Sequence, residues 1–170
     1  FTLDALHCNK ETTETIIDSQ NDYLITVKGN QIKLHNFLKT LAQTQKPLTV
    51  NQTKDNSHGR YVIRNVSVFD GQHIYHENYP HLQSFVKVER IGFRGNKEYH
   101  QTLYYISSLK LNAQTFAEKI KEHWLIENFI HWVKDVIFKE DKSRIKGMEV
   151  AGKLSLLITL TLNIYRSLGF

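Results

Sequence analysis

The order of its hydrophobic patterns constrains the fold of this chain more than any other feature. Within residues 1–45, segments rich in β-branched and aromatic residues alternate with segments whose apolar residues recur at helical spacing. The alternation predicts a strand within 1–6 that ends at Asp4-Ala5, a helix over 10–20, a strand over 22–28 and a helix over 32–44. Such repetition of strand and helix is typical of an α/β layer.

The pattern changes in the middle third of the chain, where strands dominate. Residues 47–57 are polar and are predicted to form a loop. Strands are predicted over 60–69, 85–93 and 103–106, with antiparallel pairing across a turn at 94–96. The sequence therefore predicts a β-rich segment after the α/β layer.

The last third of the chain is predicted to be helical. Asn112 is a favourable N-cap, and the helical pattern covers 113–121, 123–138 and 150–168. The longest apolar run, residues 154–164, is interrupted by serine, threonine and asparagine. Because this run is too short and too polar to span a bilayer, no membrane partner is expected.

Charge and cysteine content narrow the class of protein. The formal charge of +5 and a pI of about 9.2 are compatible with binding a polyanion, although many proteins without such a partner share that balance. The single cysteine, Cys8, excludes an intramolecular disulfide and fits a reducing compartment. Because the chain opens inside a predicted strand and without methionine, we expect it to be part of a longer protein.

The helical segment around Glu127 carries the first candidate site. On a helix, Glu127 shares a face with His123, His131 and Lys134, which lie four residues before, four after and seven after it. A carboxylate beside histidine and lysine can bind a metal ion close to a phosphate. The pattern alone favours a simpler alternative, in which these residues form a solvated charged stripe.

Two further candidates lie near the ends of predicted strands. Asp4 follows the first strand, and the carboxyl ends of strands are where α/β sheets bind ligands. The segment 58–60 leads into Arg64 and offers cations to phosphate groups. A capping or turn aspartate and an ordinary basic loop are the alternatives. His7 and Cys8 lack the paired spacing of a structural zinc site.

Several short motifs occur in a fixed order along almost the whole chain. They are Leu3-Asp4-Ala5-Leu6-His7-Cys8-Asn9-Lys10, Asp22-Tyr23-Leu24 with Lys28-Gly29-Asn30-Gln31, His58-Gly59-Arg60, Ser107-Ser108-Leu109, His123-Trp124-Leu125-Ile126-Glu127-Asn128 with His131-Trp132-Val133-Lys134-Asp135-Val136, and Phe138-Lys139-Glu140-Asp141. In these motifs the chain resembles the H-repeat-associated insertion-sequence transposases of the DDE type. The block from His123 to Asn128 is the most specific of them.

The resemblance implies an α/β fold with a particular architecture. It is an RNase H-like transposase core, here without its N-terminal strands, with a β-rich insertion before the C-terminal catalytic helix. Residues 1–57 would form the second half of the core, 58–110 the insertion, and 111–170 the C-terminal helices that include the glutamate helix.

The resemblance also implies three catalytic carboxylates. Asp4 would be the second and Glu127 the third, while the first would lie on an earlier strand outside this chain. Related transposases carry a Tyr-x2-Arg-x3-Glu-x6-Lys signature around the glutamate. Lys134 matches its lysine, whereas His123 stands in the arginine place and Ile120 in the tyrosine place.

The implied activity is metal-dependent DNA cleavage and strand transfer in transposition of an insertion sequence. Two Mg²⁺ or Mn²⁺ ions would be held by Asp4 and Glu127. The residues expected to contact DNA are Lys134, His123, Arg60, Arg64 and His131. Transposon ends and target DNA are the expected partners, bound by a homodimer in the bacterial cytoplasm at the nucleoid.

Three other functions stay open at this point. A truncated transposase remnant would bind DNA without cutting it, and the missing first carboxylate and the residues at positions 120 and 123 favour this alternative. A related metal-dependent nuclease would hydrolyse DNA without joining strands. An α/β interaction domain would not bind DNA at all.

Overall fold

The structure is a computed structural model in which two compact units are distinguished. The first unit is Phe1–Ile120 and the second is Lys121–Phe170. The structure describes residues 1–57, 60–72, 74, 78–79, 81–94, 97–126, 133–139 and 147–168.

A six-stranded sheet forms the centre of the first unit. Its strands are β1 Thr2–Leu3, β2 Leu24–Val27, β3 Thr49–Ser57, β4 Arg60–Asp70, β5 Ser84–Arg94 and β6 Lys97–Ser107. They lie in the order β1-β2-β6-β5-β4-β3. The pair β1–β2 is parallel and every other pair is antiparallel. The sheet therefore joins the α/β layer and the β-rich segment through the pairing of β2 with β6.

The described part of the chain contains four α-helices. They are α1 Lys10–Asp18, α2 Ile32–Thr44, α3 Ala113–Ile126 and α4 Met148–Ser167. A π-helical turn covers Val133–Ile137. The predicted N-cap at Asn112 is confirmed, because the Thr115 N–H donates to Asn112 Oδ1 at 2.9 Å.

The core of the first unit lies on both faces of the sheet. On one face, Ile16 of α1 and Leu38 of α2 join a buried cluster with Ile25, Phe85 and Ile106 of the strands. Because side chains alternate along a strand, a second set of buried residues occupies the other face. These are Val66, Val68, Val86 and Val88 of the strands; Ala113, Phe116 and Ile120 of α3 are also buried.

The predicted loop over 47–57 is wrong, because most of it is β3, which pairs with β4 along its whole length. The strand is difficult to recognise in the sequence because it lies at the edge of the sheet and carries polar side chains such as Lys54 and Asp55. Charged residues on an edge strand discourage pairing with other chains. Its backbone hydrogen bonds, rather than an apolar pattern, define it.

The predicted strand over 1–6 is also longer than the observed one. Only Thr2–Leu3 pair with β2, and Ala5–His7 form a 3-10 turn. Ala5 is buried and Leu6 is exposed, so the apolar run continues after the strand has ended. A short apolar run does not distinguish a strand from the turn that follows it.

The division of the chain at residues 57 and 110 into core, insertion and C-terminal helices stays a prediction. Of the predicted helix over 123–138, residues 123–126 and 133–137 are helical, and the positions between them lie outside the described residues. Within the described part of the chain, no helix combines the length and the apolar character needed to cross a membrane.

Candidate functional site

Asp4 lies at the carboxyl end of β1, where the sequence places it. Its backbone is extended and leads into the turn Ala5–His7, but its side chain makes no capping hydrogen bond to that turn. The side chain is 50% exposed. The carboxylate of Asp4 therefore does not cap the turn and is accessible to a ligand.

A lysine from the neighbouring strand stands beside this carboxylate. Lys28 directly follows β2, and because β1 and β2 are parallel, their carboxyl ends meet at one edge of the sheet. Lys28 Nζ lies 3.6 Å from Asp4 Oδ1. Both side chains are half exposed, so the pair contributes little to stability. The pair instead places one anion and one cation together at an exposed edge of the sheet.

The turn that carries Asp4 is held by two amide side chains from a distant part of the sequence. Asn30 Nδ2 donates to the carbonyl oxygen of Ala5 at 2.5 Å. Gln31 Nε2 donates to the carbonyl oxygen of Cys8 at 2.7 Å. These bonds tie the first sequence motif, residues 3–10, to the motif at 28–31. The position of the Asp4 carboxylate thus depends on both motifs.

A buried polar group lies beneath the same turn. Cys8 is buried, with its Sγ 3.8 Å from Tyr79 Oη. Burial raises the pKa of the Cys8 thiol, and the hydrogen bond to Tyr79 offsets only part of this effect. Burial likewise raises the pKa values of Tyr23 and Tyr79. All three groups are therefore neutral at neutral pH and form part of the support beneath the turn.

The predicted DNA-contacting residues are distributed between the two units. In the first unit, Arg60 begins β4, and Arg64 Nη1 lies 3.5 Å from Asp55 Oδ2. In the second unit, His123 lies in α3, and Lys134 Nζ donates to Ser155 Oγ at 2.7 Å. The structure thus gives Lys134 a defined neighbour on α4, which the sequence did not indicate.

Some predicted residues fall on positions that the structure does not describe. Glu127 and His131 lie outside the described residues, as do positions 58 and 59. The close approach of Asp4 and Glu127 therefore stays a prediction. In the part of the chain that is described, no group of three or more histidine, cysteine, aspartate or glutamate residues could hold a metal ion.

Comparison with known proteins identifies the family. The family model described as "Transposase DDE domain" matches residues 1–164, which is nearly the whole chain. The chain belongs to the DDE transposase domain family. The predicted resemblance is thereby confirmed at the level of the family.

Two similar proteins of Escherichia coli carry names that agree with this family. "Putative transposase YncI" of strain O157:H7 is 34% identical over 98% of this chain and 45% of its own length. "H repeat-associated putative transposase YhhI" of strain K12 is 32% identical over 96% of this chain and 46% of its own length. The chain thus spans about half the length of these relatives. No solved structure shows significant similarity to it.

Three residues beside the candidate aspartate of this DDE transposase domain were not predicted to have a role. They are Lys28, Asn30 and Gln31, which all belong to the motif Lys28-Gly29-Asn30-Gln31. The available signal was that this motif, like Asp4, follows the end of a strand. What the sequence could not supply was the parallel pairing of the two strands, which brings the motif to the turn.

Gln31→Ala tests the support of the Asp4 turn. Because the substitution removes a neutral hydrogen bond, we expect it to lower stability by only about 1 kcal/mol. The local effect should be larger: the amides of His7 and Cys8, which bond within the turn, should exchange hydrogen faster. Amide exchange followed by NMR measures this.

Gln45→Ala is the matched control, since Gln45 is exposed at the end of α2. Equal exchange rates at the turn in the Gln31 and Gln45 variants would show that the side chain of Gln31 does not hold the turn.

Proposed function

We propose that this chain is part of the catalytic core of a DDE transposase, which cuts and joins DNA during transposition of an insertion sequence. The observation that carries the proposal is the half-exposed carboxylate of Asp4, free of a capping bond, at the carboxyl edge of the parallel pair β1–β2. The family match over residues 1–164 supports it. In this proposal the mixed sheet and its helices belong to an RNase H-like core.

The chemistry of Asp4 suits a hard divalent cation. A carboxylate oxygen at an open edge, beside a flexible lysine that can move aside, can take part in coordination by oxygen ligands. In the proposed site Asp4 and Glu127 would hold two Mg²⁺ or Mn²⁺ ions, together with an aspartate outside this chain. Such ions would lower the pKa of water or of a 3′-hydroxyl and would stabilise the leaving oxygen.

The protein groups around Asp4 have positioning roles in this proposal. Asn30 and Gln31 hold the turn, so that the carboxylate does not have to be ordered when the substrate binds. Lys28 balances the charge of Asp4 and provides a cation for a DNA phosphate. These roles use only backbone and side-chain contacts within the first unit.

The proposed DNA contacts come from Lys134, His123, Arg60, Arg64 and His131. Lys134 already donates to Ser155 Oγ, but an ammonium group has three donors. In this proposal the ammonium group of Lys134 binds a phosphate beside Ser155. A homodimer acting on transposon ends and target DNA at the bacterial nucleoid completes the proposal.

A strand-transfer assay tests the proposal. The full-length protein that contains this chain is purified and incubated with a labelled duplex carrying the element's end sequence, a target plasmid, and Mg²⁺ or a chelator. We expect cut ends and products joined to the plasmid only when the metal is present. Cleavage without joining would indicate a nuclease instead, and binding without cleavage would indicate an inactive remnant.

A further inference from the structure

The strand register of the first unit brings basic residues into two rows that are separated by one row without basic residues. Arg64 of β4 stands opposite Arg90 of β5, and Arg90 stands opposite Gln101 of β6. Two residues along each strand, Val62, Gly92 and Tyr99 form the next row on the same face. Two residues further, Arg60, Arg94 and Lys97 are partners in the register.

The described side chains of these rows carry more positive than negative charge. With the facing residues of β3, the described side chains of the three rows include three basic residues, Arg64, Arg90 and Lys97, and one acidic residue, Asp55. Asp55 Oδ2 lies 3.5 Å from Arg64 Nη1, and both side chains are partly exposed. The rows therefore retain a net positive charge whatever the detailed pairing of Asp55.

The opposition of Arg64 and Arg90 is unfavourable for the fold on its own. Like charges directly across two strands destabilise the pairing. Burial lowers the pKa of the Arg90 guanidinium, nearby Tyr99 offsets part of this effect, and the charge of Arg64 lowers it further. Arginine nevertheless stays protonated. An arrangement that sets two permanent charges against each other becomes favourable when an anion binds to both.

The neighbouring groups indicate which kind of anion fits. Arg90 Nη1 donates to Gln101 Oε1 at 3.5 Å, and Tyr99 lies within hydrogen-bond reach of Arg90. Gly92, which has no side chain, stands between the two basic rows. Guanidinium groups bind phosphate oxygens with two parallel hydrogen bonds, and amide and tyrosine side chains are common additional phosphate contacts.

We propose that this face, the arginine surface formed by Arg64, Arg90, Lys97, Tyr99 and Gln101, binds the phosphodiester backbone of duplex DNA. The inference rests on the proposed function, in that DNA is the substrate. It adds Arg90 and its row to the residues named above and assigns them a contact that does not depend on base sequence. The surface lies wholly within the first unit.

The test compares DNA binding by the 170-residue chain and the double variant Arg64→Gln with Arg90→Gln. The probe is a labelled random-sequence duplex, and binding is followed by fluorescence anisotropy at a series of salt concentrations. Each lost phosphate contact should reduce the slope of log K against log salt by about 1. Between 50 and 200 mM salt, the wild type should therefore lose about tenfold more affinity than the variant.

Two controls make the outcome specific. The double variant Lys46→Gln with Lys54→Gln removes the same charge from exposed positions off the arginine surface and should keep the wild-type slope. The pair Arg64→Lys with Arg90→Lys keeps the charge and should retain most of the slope, which matters if the glutamine variant folds poorly. Circular dichroism reports the folding of each variant.

The possible failures differ from one another. If the wild type binds DNA and the glutamine variant keeps the full slope, the arginine surface is wrong and the proposed function is not affected. If the wild type does not bind DNA even at low salt, both proposals fail. Equal, arginine-dependent binding to polyglutamate would overturn the inference in favour of an acidic protein partner.

Discussion

Asp4→Asn should reduce metal-dependent DNA cleavage by about a thousandfold, equivalent to about 4 kcal/mol of transition-state stabilisation. The carboxylate is half exposed, makes no cap to its own turn, and lies at the carboxyl edge of a parallel strand pair. An amide of nearly the same shape removes the charge that would hold a cation and leaves the turn intact. Single-turnover cleavage of a labelled duplex by the full-length protein in Mg²⁺ or Mn²⁺ gives the rate.

The control for this prediction is Asp18→Asn, which makes the same change at an exposed position at the end of α1. It should cleave at the wild-type rate. Glu127→Gln should match the loss in Asp4→Asn, and both variants should bind DNA nearly as well as the wild type. A cleavage rate for Asp4→Asn within tenfold of the control would remove Asp4 from the metal site.

The sequence predicts the amphipathic elements well. The helix predicted over residues 32–44 is α2 with the same bounds, and the strand predicted over 60–69 is β4 with one residue added. Because one face of each of these segments is buried, the spacing of their apolar residues indicates whether the segment is a helix or a strand. The edge strand β3 buries little, and its polar sequence therefore does not reveal it.

The candidate site is only partly predictable for a similar reason. Asp4 could be found because the predicted strand ends at Asp4-Ala5, within two residues of the end of β1. The bond from Asn30 to the carbonyl oxygen of Ala5 spans 25 residues and exists only because β1 and β2 are parallel neighbours. The opposition of Arg64 and Arg90 likewise depends on the register of β4 and β5. Local patterns do not encode such pairings.

Phe85→Ala should lower the free energy of unfolding of the first unit by about 3–5 kcal/mol, because it leaves a cavity in the core. Phe85 has no exposed surface, and its ring stacks on that of Phe69 with centroids 4.6 Å apart. Domains of this size have a free energy of unfolding of only about 5–15 kcal/mol, so this substitution would remove a large part of it. Hydrogen exchange of core amides such as Ile106 measures the change within this unit.

Phe93→Ala provides the control on the same strand and the same face, since the two positions lie eight residues apart along β5. Phe93 is 48% exposed, so its truncation should cost no more than about 1 kcal/mol. Because Phe85 and Cys8 belong to one buried cluster, Phe85→Ala should also loosen the turn that carries Asp4, whereas Phe93→Ala should not. Similar losses in the two variants would mean that the Phe69–Phe85 stack is not part of the core that supports the turn carrying Asp4.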